Sequence, residues 1–61
     1  MKAQIEKELE RVGLLHGEVA NIETVGGDTG LIDFTVGGRS FWAKVTAAGK
    51  VKKNSVRQNN F

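Results

Sequence analysis

Trp42, the chain's one tryptophan, stands between Ser40 and Lys44 in a run whose alternate residues would share one side of a strand. Around it the second half of the chain gathers Arg39, Lys44, Lys50, Lys52, Lys53 and Arg57, with no acidic residue from position 39 onward. An aromatic ring among cations is the equipment for holding a single-stranded nucleic acid. Bases stack on the ring while ammonium and guanidinium groups neutralise phosphates. Trp42 is then the stacking residue, Lys44, Lys50, Lys52, Lys53 and Arg57 are phosphate contacts, and Arg39 lies at the rim. The same ring would serve as a buried anchor if the helix, the tail or a second copy covered it.

Other residues invite chemistry and do not sustain it. Asp28-Thr29-Gly30 spells the active-site triplet of aspartic proteases, but there a buried apolar strand precedes the triplet, whereas here Gly26-Gly27 do. The triplet reads as turn chemistry. The Gly26-to-Gly30 segment lacks a following Lys-Ser/Thr and leads into a strand, so the phosphate-cradling loop of nucleotide-binding proteins is not expected. His16 is the only histidine and has Glu18 near it, with no Cys or Tyr anywhere to act as nucleophile. One histidine and scattered carboxylates make no metal site. The chain is expected to be non-enzymatic, with no catalytic residue, no metal and no cofactor.

The 61 residues suffice for one small domain, 1–61, near the lower limit for an unaided hydrophobic core. With no Cys, neither disulfides nor thiolate–metal bonds support it, and the composition fits a reducing, cytoplasmic setting. No secretory signal is legible and no apolar run approaches the roughly 20 residues that span a bilayer, so a membrane role is not expected. The net charge of +2 conceals a split. Residues 1–38 carry three basic and all seven acidic groups, net −4, while residues 39–61 carry six basic groups and no acid, net +6. That asymmetry fits a polyanionic partner, or pairing of the two halves within or between copies.

The elements that must position Trp42 follow from periodicity. Ile5, Leu9 and Val12 fall at i, i+4 and i+7, one stripe of a helix over about 2–13. Gly13 at the C′ position would make Leu14 and Leu9 the apolar pair of a Schellman cap. From Glu18 the period becomes two, predicting strands over about 18–25, 31–36, 39–46 and 50–56 and a polar tail over 57–61. Gly26 to Gly30 form the first turn. Gly37-Gly38 form a two-residue turn of the primed type, and Ala47-Ala48-Gly49 a type I turn with a glycine bulge. In straight register the inner face collects Ala20, Ile22, Ile32, Phe34, Val36, Phe41, Ala43 and Val45. On the outer side Asp33 and Asn54 fall opposite Trp42, and Lys52 opposite Lys44.

The expected fold is α+β: an N-terminal helix packed on a four-stranded antiparallel meander. Ile5, Leu9, Val12 and one of Leu14 or Leu15 cover the inner face. A meander this short either stays open or rolls into a small barrel of the SH3, Sm or OB-like kind. Two functions fit. One is a small binding module for single-stranded RNA or DNA; the other is a protein-interaction or self-assembly module joining acidic and basic halves. The core is thin enough for a homodimer or higher oligomer to be about as favoured as a monomer.

Overall fold

A computed structural model describes residues 1–26 and 30–59. Helix α1 (Lys2–Val12) is followed by strands β1 (Val19–Val25), β2 (Leu31–Val36), β3 (Arg39–Lys44) and β4 (Arg57–Gln58). The strands form one antiparallel sheet in the order β1-β2-β3-β4, with the helix packed on one face. The sheet is open and does not close into a barrel. A two-residue β4 offers too little edge for closure. No helix among the described residues is long and apolar enough to cross a membrane.

The helix ends as its cap residues require. Gly13 adopts φ 76°, its N–H donates to the Glu10 carbonyl, and the Leu14 N–H donates to that of Leu9 at 2.8 Å. These are the two hydrogen bonds of a Schellman cap. Ile5 and Leu9 are fully buried, and Leu14 packs against the core while Leu15 is exposed. Val12 departs from expectation: it is 38% exposed, and Glu8 takes a buried place beside Ile5 and Leu9. The helix therefore leans toward a polar partner along one side of its apolar stripe.

β2 and β3 pair as the Gly37-Gly38 turn dictates, with both glycines at positive φ, and Phe34 lies opposite Phe41. Their rings stack at 6.0 Å between centroids, in the middle of the core. Val25 pairs with Leu31 across the first turn, of which residues 27–29, including Asp28 and Thr29, lie outside the described set. The third turn forms as expected, with Gly49 at φ 81° and its N–H donating to the Thr46 carbonyl.

Two departures from straight register have one cause. In β1, three positions separate Ala20 from Glu23, while two separate their partners Thr35 and Asp33, so β1 carries one extra residue. An odd insertion reverses the facing of everything before it. Val19 thereby enters the core at 1% exposure and pairs with Val36, the place straight register gives to Ala20. Asn21, at φ 54°, lies in the shifted stretch, and Thr35 Oγ1 accepts from its side-chain amide and donates to the Ala20 carbonyl.

Beyond β3, Val45 pairs with Val51 as expected, but Val45 is then three positions from Trp42 while Val51 is six positions from Arg57. Three extra residues again reverse the facing. Val56, which a straight strand would turn outward, is buried at 6% exposure. The strand expected over 50–56 is therefore one bridge, a corner at residues 53–54 and then β4. The expected polar tail instead supplies β4 with Arg57 and Gln58, and the Asn59 N–H donates to the Ser40 carbonyl, while residues 60–61 lie outside the described set. Burying a valine outweighs a regular ladder at both places, since each buried methylene is worth about 0.8 kcal/mol.

Candidate nucleic-acid interface

β3 alternates as its sequence demands: Phe41 and Ala43 point into the core, Ser40 and Trp42 are half-buried on the outer side, and Lys44 is exposed. The departure after Val51 then brings the C-terminal segment back to the edge of β3. Trp42, Lys44, Lys52, Lys53, Asn54, Ser55 and Arg57 line one groove of about 280 Å³. Its lining includes four cationic side chains and no carboxylate. Asp33 lies opposite Trp42 across the β2–β3 pair, while Arg57, not Asn54, lies opposite it across β3–β4. Among the described residues, none of these four cations lies within 4.0 Å of a carboxylate.

Ser55 and Arg57 hold the groove's wall. The Ser55 hydroxyl accepts the Lys44 N–H at 3.1 Å and donates to the Lys52 carbonyl at 2.6 Å, replacing ladder bonds lost where the strand turns away. The Arg57 guanidinium donates to the carbonyls of Asn54 and Val56 at 2.9 and 2.8 Å. That draws the cation along its own segment, beside Trp42. The Lys52 N–H still donates to the Lys44 carbonyl at 2.8 Å, so these two lysines remain neighbours despite like charge.

The corner at 53–54 is clasped to the helix by a group the periodicity did not single out. Glu8 accepts both Arg11 Nε and Nη2 at 2.9 Å and the Asn54 N–H at 2.7 Å. Arg11 Nη2 also donates to Asn54 Oδ1. The Arg11 hydrogen bond comes first among the causes that hold the Glu8 carboxyl at about 2, below its ordinary value of 4.5. Burial opposes it, and the Asn54 N–H and the charges of Arg11 and Lys53 assist. One turn earlier, Gln4 Oε1 accepts the Val51 N–H at 3.2 Å. Gln4, Lys7, Glu8 and Arg11 are spaced i, i+3, i+4 and i+7, a polar stripe beside the apolar one. That spacing was the available signal for Glu8.

Five of the seven expected binding residues therefore share a groove: Trp42, Lys44, Lys52, Lys53 and Arg57. Lys50 lines a second groove against the helix, and Arg39 lines a hollow with Leu14 and His16 near the Gly37-Gly38 turn. No three His, Cys, Asp or Glu side chains gather as metal ligands among the described residues.

Asn54 makes the corner testable. Its φ of 63° is one that Asn tolerates and most residues do not. Asn54→Ala is expected to cost about 1–2 kcal/mol in thermal denaturation. Asn54→Gly recovers the backbone part alone, because Arg11 still loses its acceptor. An alanine variant as stable as wild type would remove the corner from this account. No family model, curated protein or solved structure matches the chain.

Proposed function

We propose that this protein is a non-enzymatic module that binds single-stranded nucleic acid across the outer side of β3 and the 52–57 segment. Four cations around one half-buried indole, in a groove whose lining lacks a carboxylate, carry the proposal. A base stacks on Trp42, and Lys44, Lys52, Lys53 and Arg57 neutralise the phosphates on either side. Stacking accepts any base, so little sequence preference is expected. Affinity falls steeply with salt because bound phosphates release counterions.

The test is titration of Trp42 fluorescence with a twelve-residue oligothymidylate at low and moderate salt. Quenching at low salt that weakens as salt rises is expected, and Trp42→Ala should weaken binding, measured by anisotropy of a labelled strand, about tenfold. Absence of both quenching and anisotropy change at low salt overturns the proposal. The alternative, self-assembly through acidic and basic halves, has less support because two carboxylates of the acidic half are engaged within the chain: Glu8 with Arg11, and Glu18 with Lys2 at 4.0 Å. Light scattering that finds a dimer lost on Trp42→Ala substitution would favour that alternative.

A further inference from the structure

The Trp42 groove does not end at Lys53. That residue also lines the second groove, of about 550 Å³, which runs between the polar stripe of α1 and residues 50–53. We infer that the phosphate backbone of the same bound strand continues over Lys53 into this second groove, where Lys7 and Lys50 neutralise further phosphates. The inference rests on the proposed function above and extends its footprint onto the helix.

Continuity and charge carry the argument. The second groove is lined by Lys7, Arg11, Lys50 and Lys53 against a single carboxylate, Glu8. That carboxylate is already neutralised by the bidentate Arg11, so Lys7, Lys50 and Lys53 stand as surplus positive charge, all three exposed. The helix sorts its charges to match. Lys7 and Arg11 share the stripe facing the groove, while Glu6 and Glu10 fall away from it and line none of it. A helix of zero net charge, with Lys2, Lys7 and Arg11 balancing Glu6, Glu8 and Glu10, thus turns a cationic side toward the basic segment. Val51 contributes an apolar floor, suited to sugar faces rather than to a second stacked base, since no aromatic residue lines this groove. Repulsion among Lys7, Lys50 and Lys53 is what a bound polyanion relieves.

Strand length separates the two grooves experimentally. Labelled oligothymidylates of about four and about twelve residues are titrated by anisotropy over a series of salt concentrations, with wild type, Lys7→Ala and Lys2→Ala. Lys2 lies on the same helix outside the groove lining, so both variants lose one charge from the same element. The expected result is that Lys7→Ala weakens the longer strand about fivefold at low salt. It also makes the slope of log affinity against log salt shallower by about 0.7, the share of one phosphate contact on a single strand. The short strand, held by the Trp42 groove alone, is unaffected, and Lys2→Ala changes neither. Equal effects of the two substitutions, or none from Lys7→Ala on the long strand, overturn the extended path while leaving the Trp42 groove standing. Failure of wild type to bind either strand overturns both. Matching far-ultraviolet circular dichroism and melting curves are expected for all three proteins, because the Lys7 ammonium lies within 4.0 Å of no described carboxylate and the exposed Lys2–Glu18 pair at 4.0 Å contributes little to stability.

Discussion

Replacing Glu8 with glutamine lowers the unfolding free energy by about 2 kcal/mol at neutral pH and flattens the acid limb of the stability profile. In the folded chain the carboxyl is held at about 2 against an ordinary 4.5, a preference for the ionised form worth about 3 kcal/mol if carried over in full. The Arg11 side chain is 41% exposed, and solvent screening around it reduces the expected effect. The sign follows from the direction of the shift. A carboxyl depressed by folding contributes its full stabilisation above about pH 4.5, and that contribution is lost as pH falls toward about 2. Glutamine keeps an oxygen for the Asn54 N–H but sets an amide against the guanidinium, and it does not titrate. Urea denaturation followed by circular dichroism across this range checks the prediction. Curves for wild type and Glu8→Gln that run parallel through the acid range would remove Glu8 from its role.

Gly17→Ala is expected to be as damaging, through space rather than charge. A Cβ on Gly17 would sit 2.5 Å from Gly37 Cα and 2.7 Å from Gly37 N, both backbone atoms of the tight turn between β2 and β3. Neither can yield as a flexible side chain would, since Gly37 is held at φ 56° and its N–H donates to the Glu18 carbonyl at 3.0 Å. Overpacking of this kind costs about 1–3 kcal/mol. For a domain of this size that lowers the melting temperature by roughly 10 °C. Gly38 supplies the comparison: a Cβ there meets nothing within 4 Å, although its φ is 82°. Gly38→Asn, which tolerates that φ, should melt close to wild type. If Gly17→Ala melts with it, the close crossing of residue 17 over the turn is not what the geometry indicates.

Much of the fold was legible because local rules and burial agreed. Gly13 capped the helix, Gly37-Gly38 closed the hairpin, and Phe34 met Phe41, each from short-range chemistry that nothing distant opposed. What escaped were two reversals of facing, at Asn21 and at the corner of residues 53–54, where strict alternation predicted the wrong side for Val19 and Val56. Alternation assumes no inserted residue, and an odd insertion leaves little local trace when Asn rather than Gly adopts the positive φ. Of the candidate site, the residue types and the outward facing of Trp42 were readable. Its wall was not, because Arg57 reaches Trp42 only through the second reversal. Glu8 escaped for a different reason: among three helix carboxylates only its place in the Gln4-Lys7-Glu8-Arg11 stripe sets it apart, and its partner Asn54 lies 46 residues away.

The inserted residue in β1 matters beyond the core. Among the described residues, β1 is the outermost strand on its side of the sheet, with β2 as its neighbour. A long, flat outermost strand is a template on which a foreign chain can lay down another, the route to shared sheets and fibres. The register shift within β1 breaks that template into two short pieces on either side of Asn21, shorter than the five or six residues of an ordinary strand. An incoming strand of regular geometry would match one piece and miss the other. The insertion that gives the core Val19 in place of Ala20 therefore also interrupts the open edge of the sheet, as bulges on exposed edge strands do.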